Sequence, residues 1–130
     1  INGLTAVMVV AAEVKLTKEP KLTIAASGDT VQFRICWSNY SSGSAFSFVI
    51  NDAVPRNTSF LPEVAGGLDC GNTKGQTVTV AYSAATTATV PAAASWTTGN
   101  PVSGTRWLRW TVPFTGPMTT GCACFRVVVD

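Results

Sequence analysis

An uninterrupted alternation of apolar and polar residues is the feature that most limits how this chain can fold. Residues 30–39 carry it, with Val31, Phe33, Ile35 and Trp37 at the apolar positions. A repeat of two residues is typical of a β-strand with one face in a core. The C-terminal run repeats the pattern: Ala123, Phe125, Val127 and Val129 lie on one face, and Cys122, Cys124, Arg126 and Val128 lie on the other. Both segments therefore predict strands.

Further strands are predicted at residues 45–53, 77–83 and 107–113, which are rich in β-branched and aromatic residues between turn formers. The alanine-rich segment 84–94 contains several threonines and Pro91, so it is predicted as a strand followed by a loop rather than a helix. The fold class predicted is all-β, an immunoglobulin-like antiparallel β-sandwich with an extra apolar N-terminal strand. The 130 residues suit one such domain at 13–130, preceded by an arm at 1–12.

The N-terminal arm has almost no polar alternation. Its apolar residues are Leu4, Ala6, Val7, Met8, Val9, Val10 and Ala11. A strand that is apolar on both faces must be buried on both faces. Three interpretations follow: an extra strand of its own sandwich, the remainder of a hydrophobic export segment, or a strand donated to the sheet of the next molecule. Donation would be a head-to-tail contact that does not close and so builds a filament.

The chain has four cysteines, Cys36, Cys70, Cys122 and Cys124, an even number that predicts two disulfides in an oxidising compartment. A zinc site is the alternative, but Cys122 and Cys124 are separated by one residue rather than two, and the chain has no His. No metal is therefore expected. Because three of the cysteines share the outward phase of two strands, Cys36 is expected to bridge to Cys122 or Cys124, and Cys70 to take the other.

Composition and charge indicate an extracellular or cell-surface location. Charged residues make up only 12% of the chain, its net charge is +2, and its basic residues are scattered, so no nucleic-acid partner is expected. The apolar run at 6–12 is shorter than the roughly 20 residues of a membrane-spanning helix. A start at Ile1 without a basic leader predicts an exported chain whose signal has been removed.

No catalytic residue or cofactor is predicted, and the chain is not expected to be an enzyme. A serine or cysteine nucleophile would need a lysine as its base, and none of the four lysines lies in such a motif. Asp52 comes shortly before Pro55, and it is interpreted as accepting backbone N–H bonds in that turn rather than as a catalytic carboxylate.

Four residues are candidates for surface sites. Asn57 and Asn39 fit the N-glycosylation acceptor pattern, although Asn39 has an alternative role in holding the turn after its strand. Trp107 lies on the outward phase of its strand and Trp96 in a loop, so both are candidates for an exposed contact with a glycan. Trp37 and Trp110, in contrast, are predicted core residues.

Three stretches of the chain carry a resemblance to a known family. They are residues 28–39, residues 49–60, and the closing pair 107–113 and 121–129. From Glu13 onward the chain resembles the repeat of bacterial and archaeal surface proteins known as domain of unknown function eleven. The resemblance implies an immunoglobulin-like fold and no shared catalytic site. The segment from Gly66 to Thr105 is long for that family, which favours a free-standing module.

These observations predict an extracellular structural subunit of a pilus-like filament or surface polymer. Each subunit would insert its N-terminal strand into a neighbouring copy, head to tail. The alternative is a monomeric adhesion or carbohydrate-binding module that contacts surface glycans. A passive spacer domain of a larger surface protein is a third interpretation.

Overall fold

The computed structural model of the protein describes residues 5–8, 14–19, 25–39, 45–62, 78–115 and 120–130. The strands in these ranges are β1 (Thr5–Met8), β2 (Val14–Glu19), β3 (Thr30–Asn39), β4 (Ala45–Ala53), β5 (Thr58–Leu61), β6 (Thr79–Ser83), β7 (Thr97–Thr98), β8 (Trp107–Thr115) and β9 (Thr120–Val129). A 3-10 turn, Ala93–Ser95, precedes β7.

The strands form two antiparallel sheets. The first sheet has the order β1-β4-β8-β6-β7, and the second has the order β2-β3-β9-β5. Every strand pair in the described ranges is antiparallel. The predicted all-β, immunoglobulin-like sandwich with an additional N-terminal strand is confirmed.

The core lies between the two sheets and follows the alternation of the sequence. Phe33, Ile35 and Trp37 of β3 face it, and so do Phe125 and Val127 of β9. The first sheet and the residues next to the ends of its strands contribute the other core residues: Phe48, Ile50, Val54, Val78, Val80, Tyr82, Leu108, Trp110 and Val112. Burying a large apolar side chain contributes about 1.5 to 3 kcal/mol. Trp37 and Trp110 are confirmed as core residues, since neither is exposed to solvent.

One glycine allows the largest of these side chains to fit. Gly121 of β9 lies directly opposite Trp37 of β3. A Cβ atom added at Gly121 would lie 2.5 Å from Cζ2 and 2.6 Å from Cε2 of the Trp37 indole. The indole is fully buried, so it has no free space into which to move.

Gly121→Ala is therefore expected to lower the free energy of unfolding by about 1 to 3 kcal/mol, the usual cost of overpacking a core. Urea unfolding followed by tryptophan fluorescence measures the change. Thr120→Ala, at the exposed neighbouring position, is the matched control and should change stability much less. Equal stability of Gly121→Ala and the parent chain would contradict this packing account.

The strand expected at the start of 84–94 is absent, and that prediction was wrong. β6 ends at Ser83, whose Oγ accepts the N–H of Ala85 and whose carbonyl accepts the N–H of Arg106. These bonds satisfy the end of the strand and direct the chain away from the sheet. The segment then runs past β8, where the carbonyl of Thr87 accepts the indole N–H of Trp107.

Candidate functional site

The N-terminal strand occupies one edge of the first sheet. Among the described strands β1 pairs only with β4, in the register Thr5↔Asn51, Ala6↔Ile50, Val7↔Val49 and Met8↔Phe48. The other arm residues singled out in the sequence, Leu4, Val9, Val10 and Ala11, lie outside the described residues. The described part of the arm, residues 5–8, is thus a strand of the chain's own sandwich.

The position of β1 in the topology makes it separable from the rest of the sandwich. It lies at the end of its sheet, while the next strand, β2, belongs to the other sheet. No other strand among the described residues depends on β1 for its pairing. Removing β1 leaves the edge of β4 without a partner, and an unpaired edge with open N–H and C=O groups binds another strand.

A buried ion pair joins the two sheets. Nζ of Lys18, on β2, lies 2.6 Å from Oδ2 of Asp52, on β4. The side chains are 7% and 0% exposed. Both residues occupy the inward phase of their strands: Lys18 follows Val14 and Leu16 at two-residue spacing, and Asp52 follows Ile50 in the same way.

Aromatic rings surround the lysine. Its Nζ lies 4.8 Å from the ring centroid of Phe33 and 5.7 Å from that of Phe125. Rings at this distance attract a cation through their negatively polarised faces. They also keep water away from the ion pair, which strengthens the attraction between its charges.

Burial controls the chemistry of the carboxyl group. Desolvation raises the pKa of Asp52 to about 6, although the Lys18 ammonium and the backbone N–H of Ala53 act in the opposite direction. A larger fraction of Asp52 is thus protonated in mildly acidic solution than for an ordinary aspartate.

The turn role predicted for Asp52 was wrong, because the turn is held by other groups. The guanidinium of Arg106 donates to the carbonyls of Val54, Pro55 and Thr58 at 2.7 to 3.0 Å. The hydroxyl of Thr58 donates to the carbonyl of Pro55 at 2.7 Å. Asp52 is left to face the interior and Lys18.

One of the two expected disulfides links β3 and β9. Cys36 and Cys122 lie directly opposite each other in the register, with their Cα atoms 4.1 Å apart, and they are bonded. The expectation that Cys36 pairs with Cys122 or Cys124 is confirmed. Cys124 is also disulfide-bonded, and Cys70 lies outside the described residues. Although both β9 cysteines point away from the core as predicted, they are buried, with Cys122 3% and Cys124 1% exposed.

The two candidate tryptophans differ in exposure. Trp107 is buried, contrary to the prediction, because the segment after β6 passes close to its indole. Trp96 is partly exposed; its indole N–H donates to the carbonyl of Pro91, and the Arg109 guanidinium carbon lies 4.3 Å from its ring centroid. Arg109 in turn donates to Oδ1 of Asn51 at 2.6 Å. Trp96 is the aromatic residue of this pair that a ligand can reach.

The two asparagine candidates also differ in exposure. Asn39 is fully buried at the end of β3, which argues against a glycan there and favours its alternative structural role. Asn57 is exposed in the turn before β5 with a backbone φ of 61°. Its glycosylation stays a prediction.

One cleft of the described surface lies between the turn after β4 and the segment after β6. It has a volume of about 720 Å³ and is lined by Arg56, Arg106, Trp107 and the segment 85–88. Its lining has no carboxylate or cysteine that could serve as a base or nucleophile. Within the described ranges no group of three or more potential metal ligands comes together. Nor does any helix there have the length and apolar character needed to cross a membrane.

Comparison with known proteins does not extend these findings. No family model matches the chain, and neither a curated protein nor a solved structure shows significant similarity to it.

Proposed function

We propose that this protein is an extracellular structural subunit that assembles head to tail by placing its N-terminal strand at the β4 edge of a neighbouring copy. Membership in the surface-protein family that the sequence resembles is part of this proposal. The mechanism is non-covalent strand exchange. It requires no cofactor, and the partner is a second copy of the same chain.

The observation that carries the proposal is the position of β1. It is the first of the described strands, it lies at a sheet edge, and among those strands it pairs only with β4. Such a strand can move to another molecule and make the same backbone hydrogen bonds there, because the register of four residue pairs is unchanged. The pairing energy is then preserved while the two molecules become linked.

The composition and the disulfides support an extracellular role. A bonded Cys36–Cys122 pair is stable in an oxidising compartment. A surface with few charges and many hydroxyl groups suits a subunit that packs against copies of itself.

An alternative function has one observation in its favour. The partly exposed Trp96 ring is held rigid by Arg109 and by its bond to Pro91. A fixed aromatic face is a common contact for sugars, and it would serve a monomeric adhesion or carbohydrate-binding module. This alternative needs no strand exchange, so an experiment that detects strand exchange distinguishes the two functions.

A paired cysteine substitution reports which molecule supplies β1. Val7 and Val49 are direct partners between β1 and β4, so Val7→Cys with Val49→Cys is expected to form a disulfide wherever those strands pair. If β1 is exchanged, oxidation links neighbouring chains. Denaturing gel electrophoresis without reductant should then show a ladder of covalent multimers that collapses to monomer on reduction.

The matched control is Thr30→Cys with Val128→Cys, which places the pair between β3 and β9. That pair lies within one sandwich and should give only monomer. Either single variant, Val7→Cys or Val49→Cys, controls for random oxidation. Two results together would refute strand exchange. The Val7/Val49 variant would give only internally bridged monomer, and the parent chain at the same concentration would show no filaments by electron microscopy. Binding of glycans at Trp96 would then be the function to test.

A further inference from the structure

The contact between Lys18 and Asp52 joins an amine to a carboxyl group inside the sandwich. Lys18 Nζ donates no hydrogen bond to any other group in the part of the chain that the structure describes. It lies 2.6 Å from Oδ2 of Asp52. We propose that these two side chains condense to form an intramolecular isopeptide bond between β2 and β4.

The fold brings the reacting groups together before any reaction. Lys18 is fixed by its place in β2, which pairs with β3 from Val14 to Glu19. Asp52 is fixed in β4, which pairs with β8 through Asp52↔Leu108. Two groups held in contact by separate rigid elements react as one molecule, which removes most of the entropic cost of bringing them together.

The surroundings favour the protonated form of the acid. A lysine amine attacks only when it is unprotonated, and a carboxyl group loses its oxygen as water only when it is protonated. Burial raises the pKa of Asp52, which favours the protonated carboxyl group that the reaction needs. The rings of Phe33 and Phe125 keep the site dry.

The reaction balances without any other reactant. Proton transfer from Nζ to the carboxylate gives a neutral amine and a neutral acid. The Nζ lone pair then forms a bond to Cγ of Asp52, an N–H proton moves to the hydroxyl oxygen, and the bond from Cγ to that oxygen breaks. One water molecule leaves, and an amide links the two side chains. No oxidant or reductant is consumed.

A covalent bond between Lys18 and Asp52 would stabilise the core more than a buried ion pair does. A buried ion pair contributes little net stability, because removing two charges from water offsets their attraction. An amide has no charge to bury, and it would tie the second sheet to the strand that holds β1 in the first. The inference does not depend on strand exchange, since a monomeric module could carry the same bond.

The test is the intact mass of the folded full-length chain after complete reduction of its disulfides. We expect a mass lower than that of the sequence by one water molecule. Protease digestion should yield one branched peptide that contains both residue 18 and residue 52. Fragmentation of this peptide identifies the linked side chains directly.

Substitutions locate the bond. Lys18→Met removes the amine and should restore the mass of its own sequence, whereas Lys15→Met, on the exposed face of the same strand, should retain the loss of water. The parent chain is informative by itself, so a Lys18→Met variant that fails to fold does not weaken the test. A folded parent chain whose mass equals that of its sequence, after prolonged incubation in mildly acidic and neutral buffers, would overturn the proposal.

Discussion

A chain carrying Cys36→Ala with Cys122→Ala is expected to lose about 4 kcal/mol of its free energy of unfolding by the chain-entropy argument. The bridge closes a loop with a sequence separation of 86 residues. Removing the bridge gives the unfolded chain more conformational freedom, while the native contacts change little. Guanidinium unfolding of the two chains, monitored by tryptophan fluorescence, measures the difference.

Arg34→Ala is the control for this variant. The Arg34 guanidinium lies 3.5 Å from Sγ of Cys122, so its removal eliminates that contact but leaves the bridge. Arg34 is exposed, and a change of about 0.5 kcal/mol or less is expected. A loss of less than about 1 kcal/mol in the double cysteine variant would show that the bridge does not restrict the unfolded chain as the entropy model requires.

Lys18→Met is expected to lower the free energy of unfolding by about 3 to 5 kcal/mol, because it leaves the Asp52 carboxyl buried without its partner. Asp52 is fully buried, so water cannot take the place of the lysine. Chemical unfolding measures the effect. Lys15→Met, at an exposed position of the same strand, serves as the control and should change stability by about 0.5 kcal/mol or less.

A double variant separates the cost of an orphaned carboxyl from the stability that the proposed amide supplies. Lys18→Met with Asp52→Leu removes the orphaned carboxyl, and an ion pair replaced by apolar side chains of similar size is about neutral or stabilising. Full recovery of stability would therefore indicate that the parent chain holds only an ion pair. We expect incomplete recovery, since the proposed amide is also lost. A single Lys18→Met variant as stable as the parent would contradict both accounts.

Alternation along the sequence was sufficient to predict the strands that line the core. In β3 and β9 every second residue is apolar, and the structure buries these residues except Val31 and Val129, which are partly buried. The pattern works because a strand turns successive side chains to opposite faces, and only one face of each strand meets the core. The same rule placed Trp37 and Trp110 correctly.

The rule did not predict what covers the outer faces. Trp107 has the outward phase, yet it is buried because the segment after β6 passes over it. Cys122 and Cys124 are likewise outward and buried. Coverage of an outer face depends on the path of loops between distant strands, and local periodicity has no information about that path.

The buried ion pair did leave a signal in the sequence. Lys18 stands where the alternation Val14, Leu16 calls for an apolar residue, and Asp52 stands at the same phase as Ile50. A charge on the buried phase of a strand needs a partner of opposite charge. The sequence did not identify that partner, because Lys18 and Asp52 belong to different sheets. Their contact depends on how the two sheets stack.

The antiparallel pairing of β1 with β4 has a mechanical consequence. Tension applied along β1 acts parallel to both strands, so their interstrand hydrogen bonds are loaded together in shear rather than opened one after another like a zip. The load then enters β4, which is flanked on its other side by β8, and crosses to the second sheet where Asp52 meets Lys18. A string of such modules would resist stretching through the backbone of each sheet, and its weakest link would be the four-residue contact of β1.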